Sequence, residues 1–111
     1  AIRGGARLWG IEPPQADDKE TTIPQLKERI ATALNFVRSA DRAAIDASAT
    51  RMITIPLGPG AKGEMKGADY FNHFVLPNFY FHATAAYAIL RHNGVDLGKQ
   101  DFLGAIPLKR L

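Results

Sequence analysis

The sequence contains no cysteine, so disulfides, thiolate metal sites and cysteine nucleophiles are excluded. Serine is nearly absent as well: Ser39 and Ser48 lie in ordinary loop contexts, and no nucleophilic triad is visible. The chain has no apolar run long enough to cross a membrane and no signal-peptide pattern. We therefore expect a cytoplasmic protein that has no membrane partner.

A basic stripe is also missing. The chain carries 14 Lys and Arg against 11 Asp and Glu, a net charge of +3, and the bases are interleaved with acids. The only adjacent basic pair is Lys109-Arg110. Because nucleic-acid binding normally leaves a clustered basic surface, we predict no nucleic-acid partner. A length of 111 residues with 46% hydrophobic residues predicts a single domain over residues 1–111.

Most of the aromatic residues and all three histidines fall in one stretch, residues 67–94. Its apolar run is too long for a strand, so we predict one long helix over residues 68–92, buried in a bundle. Asn93-Gly94 suits a left-handed C-terminal cap. Pro77 removes a backbone donor, which predicts a kink within this helix.

At helical spacing, one face of this helix is apolar except for Asn78 and His82, which lie one turn apart. A buried polar side chain without a partner costs roughly 1–3 kcal/mol, so both need partners. They either make structural hydrogen bonds, to each other, to a neighbouring helix or to water, or they form a ligand or metal position facing the bundle interior. The opposite face includes His73, Tyr80 and Tyr87, whose polar tips suit a pocket wall.

The three histidines cannot share one metal ion. His73 and His82 are nine residues apart, which places them roughly 13 Å apart along a helix axis. Ligand bonds to zinc are only about 2.0–2.1 Å long. The same argument separates His82 from His92, so a metal site at His82 needs ligands from elsewhere.

The segments before this helix predict further elements. Residues 1–10 have the pattern of the closing turns of a helix, which suggests that an upstream helical part is missing, and residues 11–18 form a linker. Thr22 and Gln25 form a capping box before an amphipathic helix from about Ile23 to Arg38, and a short helical turn follows at residues 41–46. Residues 52–57 alternate as a strand, with Ile53, Ile55 and Leu57 on one face, and residues 61–66 return as its partner.

Residues 58–63 formally match the glycine pattern of a dinucleotide-binding loop. That motif needs a preceding strand, a helix that opens at the glycines and a βαβ unit around them. Here no helix begins before Gly67, so we interpret these residues as a hairpin turn. After Gly94, we expect residues 95–104 to lie across the bundle, anchored by Leu97, Phe102 and Leu103, and the tail at 105–111 to pack on a partner chain.

These residues resemble a known family over nearly the whole chain. The run Leu76-Pro77-Asn78-Phe79-Tyr80-Phe81-His82, the later Ile89 to Val95 and the earlier Glu12-Pro13-Pro14 carry the resemblance. They are similar to the uncharacterised family numbered nineteen-ninety-three among domains of unknown function, and through it to the DinB/YfiT-like four-helix bundles. The resemblance implies a mainly α fold: the C-terminal part of such a bundle, with a small β-hairpin before the last long helix.

Many DinB/YfiT-like proteins bind a divalent metal through three histidines, two of them four residues apart on the last helix. The resemblance matches Asn78 and His82 to that pair, with an amide in place of one imidazole. This chain offers only two long helices and a stub, whereas a stable bundle usually needs about four. We therefore predict either a homo-oligomer, a dimer in which each chain supplies helices, or an upstream segment that covers the core. In either case we expect an interior small-ligand pocket at Asn78 and His82, and a purely structural homo-oligomer is the competing hypothesis. Tyr80, Tyr87 and His73 are the further candidate lining residues. The alternative is a metal-dependent enzyme in which His82 binds zinc or nickel.

Overall fold

The computed structural model describes residues 2–109, which are mainly helical with one two-stranded antiparallel hairpin. The elements are α1 (Ile2–Trp9), α2 (Ile23–Arg38), α3 (Arg42–Ala47), a 3₁₀ turn (Ser48–Thr50), β1 (Met52–Gly58), β2 (Ala61–Lys66), α4 (Gly67–Tyr70), a π turn (Phe71–Val75), α5 (Leu76–His92) and α6 (Lys99–Leu103). The chain divides into two compact units, residues 1–77 and 78–111.

Helix α1 ends where the sequence predicted, at Gly10 with φ +84°. An arginine from far along the chain closes it: Arg51 Nη2 donates hydrogen bonds to the carbonyl oxygens of Arg7 at 2.9 Å and Leu8 at 2.6 Å. The last carbonyls of a helix have no partner within the helix, and a guanidinium satisfies them while complementing the helix dipole. This contact ties α1 to the start of β1. Ala1 lies outside the described residues.

Helix α2 confirms the predicted boundaries and cap. Thr22 is extended at the N-cap, its hydroxyl accepts from Gln25 N at 3.4 Å, and the Gln25 amide oxygen accepts from Thr22 N at 3.1 Å. Pro24 stands in the first turn, where its missing N–H is harmless. The helix has no buried residue.

The hairpin also matches the prediction, with Ile53 opposite Met65 and Ile55 opposite Gly63. Gly58 and Gly60 have φ of +133° and +74°, so the glycine-rich segment is a strand-to-strand turn and opens no helix. Ile53 and Ile55 are buried, as alternation requires. Leu57 is not: the pairing is irregular between Pro56 and Gly58, and this side chain lies over Gly63 at the exposed end of the hairpin.

The core of the first unit is built from Leu8, Ile53, Ile55 and Tyr70, with Met65, Phe74 and Val75 packed against it. Two glycines allow its elements to approach closely. A Cβ on Gly67 would lie 2.0 Å from the carbonyl oxygen of Ser48, and one on Gly4 would lie 3.0 Å from a Val75 methyl group. The start of the long helix is therefore fixed against the 3₁₀ turn and against α1.

The predicted long helix is confirmed, since α4, the π turn and α5 run without a break from Gly67 to His92. The long helix departs from regular α geometry close to Pro77, the residue at which a kink is predicted. A π turn occupies Phe71–Val75 directly before Pro77, whose missing N–H leaves the preceding turn without one standard hydrogen bond. A π turn contains more residues per turn than an α-helix. Residues before and after it that would share one face of a uniform α-helix therefore no longer share one face.

Helix α5 continues through the second unit and ends at His92. Gly94 follows with φ +84°, as the predicted cap requires. Residues 95–98 lead into the short α6, where the Asp101 carboxylate accepts a hydrogen bond from Gly98 N at 2.8 Å. The ring of Phe102 meets Tyr87 edge-on at 5.7 Å. None of the described helices is long and apolar enough to cross a membrane.

Candidate functional site

Asn78 and His82 lie one turn apart on α5, as predicted, but their predicted burial is wrong. Both side chains are exposed in the described chain. The His82 ring contacts the neighbouring Phe81 ring edge-on at 5.3 Å. The prediction failed because an apolar helix face is buried only where another element covers it, and the sequence pattern does not show whether one does.

The same correction applies to the whole of α5, which contains no buried residue. Large apolar side chains are exposed around it: Phe79, Tyr80, Phe81, Ile89 and Leu90. Exposed apolar surface on this scale is unusual for a monomeric protein and is typical of interaction surfaces. The exposed surface around Asn78 and His82 is therefore mainly apolar, and the amide and the imidazole are polar groups within it.

The remaining predicted lining residues are spread along the long helix. His73 is exposed and lies in the π turn of the first unit. Tyr80 is exposed and meets Phe79 edge-on at 5.5 Å. Tyr87 is half-buried and lies two turns further along α5.

Tyr87 does line a small cavity of about 180 Å³, together with Thr84, Lys99 and Phe102. Arg91 Nη1 donates a hydrogen bond of 2.8 Å to the Tyr87 hydroxyl, and the Phe102 ring covers the other side of the phenol. The polar-tipped helix face thus borders a cavity at this point. The cavity's residues do not include Asn78 or His82.

The sequence reasoning missed the most deeply buried side chain, Tyr70. It is fully buried, it stacks on Phe74 at 5.4 Å, and its hydroxyl accepts a hydrogen bond of 3.1 Å from Arg7 Nη1. The signal was present, because Tyr70 and Phe74 are four residues apart and share one helix face. At the spacing of a uniform helix, Phe71 shares the face of Asn78 and His82 that was expected to be buried, but Phe71 is exposed.

The linker is held by a surface cluster around Arg29. Its guanidinium contacts the carboxylates of Asp18 at 2.6 Å and Glu20 at 2.8 Å. The hydrogen bond to Asp18 has the largest effect on the pKa of Arg29, followed by the hydrogen bond to Glu20, and both raise this pKa above its usual value. The cation and the two anions fix the chain before α2 and also satisfy one another, which suits a structural role.

The described residues do not by themselves form a metal site. Across residues 2–109, no three His, Asp or Glu side chains converge in a way that could hold an ion. His82 has an amide, Asn78, at the position one turn before it, and amide oxygens are poorer ligands for zinc than imidazole or thiolate. An ion at His82 would thus need donors from outside the described residues.

Comparison with known proteins identifies the family. The family model described as Domain of unknown function (DUF1993) matches residues 1–103. The chain belongs to this family. The family carries no assigned reaction in its description, so membership defines the fold and leaves the activity open.

A solved structure extends the comparison. The chain is similar to a DinB family member protein from Shewanella denitrificans, whose crystal structure matches with a TM-score of 0.88 at 42% sequence identity. The match covers 100% of this chain and 62% of that chain. This chain therefore spans less than two thirds of the length of its solved relative. No curated protein matches the sequence.

Proposed function

We propose that this chain is a helical module that assembles with a second copy of itself and encloses a small-ligand pocket at Asn78 and His82 on assembly. The observation that carries this proposal is the absence of a buried side chain from two helices rich in apolar residues, α2 and α5. Within residues 2–109, neither helix contains a single buried residue. Burying apolar surface contributes roughly 25 cal/mol per Å², so such faces favour association.

Helix α2 supports assembly most directly, because its apolar residues keep the spacing of one continuous stripe. Ile23, at 66% exposed, begins this stripe, which runs on through Leu26, Ile30, Leu34 and Val37. Charged residues, among them Lys27 and Glu28, lie between these positions. A stripe of this kind normally packs against another helix.

Helix α5 supports the location of the pocket. A partner that covers Phe81 and its apolar neighbours would also remove water from the neighbouring His82 ring. A buried imidazole needs hydrogen-bond partners, and a small polar ligand bound beside it can supply one. The pocket would thus form only in the assembly, which accounts for the exposure of the Asn78 and His82 side chains in the single chain.

Light scattering over a range of protein concentrations tests the assembly. We expect a dimer, and Ile30→Gln or Phe81→Gln should shift it toward monomer by removing apolar contact area. Lys27→Gln, on α2 but outside the apolar stripe, is the matched control and should leave the dimer unchanged. A wild-type monomer at every concentration would contradict the proposal.

Chemical modification of histidine then tests the pocket. We expect diethylpyrocarbonate to modify His82 more slowly in the dimer than in the monomeric Phe81→Gln variant. Equal reactivity in the two forms would place His82 outside the interface and would remove the pocket, even if the dimer itself were found.

The second candidate is a divalent-metal-dependent enzyme of the DinB type, with His82 as a ligand to zinc or nickel. The similarity to a solved DinB family member favours it. The further ligands that His82 would need lie outside the described residues, and a second copy of the chain is one source of them. Elemental analysis of the purified wild-type protein and of the His82→Ala variant tests this candidate. We expect stoichiometric metal in the wild-type protein and none in the variant. A wild-type protein without metal, or a variant with the same metal content as the wild type, would contradict the metal site.

A further inference from the structure

A second cavity, unrelated to α5, lies within the first unit and has a volume of about 370 Å³. This volume is at the small end of the range for ligand pockets, about 300–1,000 Å³. None of its residues was a sequence-based candidate. It is lined by Leu8, Ile45, Asp46, Ser48, Ala49, Gly67, Ala68, Phe71 and Asn72.

The apolar part of the cavity comes from three elements. Leu8 of α1 is buried, Ile45 of α3 is half-buried, and Phe71 opens the π turn. Small residues, Ala49 and Ala68, leave the space unfilled. Two lining residues, Phe71 and Asn72, belong to the π turn, an irregularity that is frequent at functional sites.

The polar groups of the cavity are mainly hydrogen-bond acceptors. The Ser48 hydroxyl is buried and donates its proton to the carbonyl oxygen of Ile45 at 2.6 Å, so Ser48 Oγ can only accept a further bond. Asn72 Nδ2 donates to the carbonyl oxygen of Ala68 at 2.9 Å, and the Oδ1 atom of the same side chain is a hydrogen-bond acceptor. A ligand that meets these atoms must therefore bring donors.

Asp46 is charged, whereas the other described residues that line the cavity are uncharged, so the cavity carries negative charge. Its carboxylate is 3.6 Å from Arg42 Nε, and both side chains are largely exposed. An exposed ion pair of this kind contributes little and does not prevent a second cation from binding. No lysine or arginine lines the cavity to attract an anion.

We propose that this cavity binds a small organic ammonium ion with a compact apolar body. The ammonium group meets Asp46, Asn72 Oδ1 and Ser48 Oγ, and the apolar body packs against Leu8, Ile45 and Phe71. One group argues against a cation: the backbone N–H of Ala68, in the first turn of α4, is a hydrogen-bond donor and would favour an anionic ligand. The test therefore includes a carboxylate.

Titration of the full chain with benzylamine, benzyl alcohol and phenylacetate, followed by amide chemical shifts in NMR, distinguishes the charge classes. We expect saturable shifts at residues 45–49 and 67–72 with benzylamine, and binding at least fivefold weaker with benzyl alcohol and phenylacetate. Absence of saturation with all three probes overturns the site. Phenylacetate binding as tight as benzylamine overturns the cation preference.

Three variants locate the site. Asp46→Asn should weaken benzylamine binding by about fivefold, the scale of one exposed charge contact, and leave benzyl alcohol unaffected. Asp69→Asn removes an exposed acid one residue after Ala68 that does not line the cavity, and it should change neither. Ala68→Leu fills the cavity from an exposed position and should abolish binding with an unchanged near-ultraviolet circular dichroism spectrum.

Two results with these variants would contradict the proposal. Equal losses in Asp46→Asn and Asp69→Asn would show general electrostatic attraction and overturn the role of Asp46. Retained binding in folded Ala68→Leu would place the ligand elsewhere and overturn the cavity assignment.

Discussion

The two units of this chain differ in how they use apolar residues. Every buried residue among positions 2–109 belongs to the first unit, in α1, the 3₁₀ turn, the hairpin and the start of the long helix: Ala6, Leu8, Ser48, Ile53, Ile55, Gly67 and Tyr70. Of the described residues in the second unit, none is buried, although its helix is rich in aromatic side chains. Hydrophobic content alone therefore does not decide burial; a facing element does.

The hydrogen bonds show the same contrast. In the first unit, Arg7 bonds to Tyr70 across 63 positions, and Arg51 bonds to Arg7 and Leu8 across 44 and 43 positions. In the second, the bonds made by Arg91, Asn93 and Asp101 span four residues or fewer. Long-range contacts give the first unit a tertiary structure of its own, whereas the second is stabilised mainly by helix formation.

The strongest test of this contrast compares two tyrosines on the same long helix. Tyr70→Ala should destabilise the protein by about 3–5 kcal/mol, because it empties a fully buried site. Tyr80→Ala, at a side chain 54% exposed in the single chain, should cost less than about 1 kcal/mol when unfolding is measured at a concentration low enough for the chain to be monomeric. Urea unfolding measures both. Equal losses would mean that Tyr80 is as well packed as Tyr70 in solution, and the distinction between the units would fail.

Substitutions at two glycines test how closely the elements of the first unit pack. Gly67→Ala should cost about 1–3 kcal/mol or more, since the new methyl group meets the Ser48 carbonyl oxygen. Gly5→Ala, in α1 with open space around it, should be neutral or stabilising by up to about 1 kcal/mol. Thermal unfolding of both variants checks this. A neutral Gly67→Ala would show that the long helix is not held against the 3₁₀ turn.

A smaller effect is expected in the second unit. Phe102→Ala removes the edge-on contact with Tyr87 and should reduce local stability by about 0.5–1.5 kcal/mol. Amide hydrogen exchange at residues 84–92 measures this local change. Leu108→Ala, at a side chain 77% exposed, serves as the control and should leave exchange unchanged. A loss of exchange protection across the first unit in Phe102→Ala would contradict the separation.

The smallest effect concerns the linker before α2. Arg29→Ala breaks the contacts to Asp18 and Glu20, so limited proteolysis should cut residues 11–21 faster while the unfolding midpoint barely moves. Arg38→Ala, at the other end of the same helix, should leave the cleavage rate unchanged. Unaltered cleavage in Arg29→Ala would show that the linker is held by other contacts.

Much of the fold could be predicted because its signals are local. The Thr22–Gln25 capping box, the alternation of Ile53 and Ile55 and the Asn93-Gly94 stop each predicted an element that the structure contains. The candidate site was less predictable. The spacing of Asn78 and His82 was correct, but their exposure depends on what covers α5, and that information is not contained in a periodic pattern.

The sequence by itself determined the bounds of α2, the position of the hairpin and the end of the long helix, since caps, turn glycines and side-chain periodicity act over a few residues. Only the tertiary structure decided which apolar faces are covered. Tyr70 lies in the core, where its hydroxyl accepts a hydrogen bond from Arg7, and the π turn that follows it changes the phase of the long helix. Burial requires two surfaces that meet, and the positions of those surfaces depend on contacts between residues more than 40 positions apart.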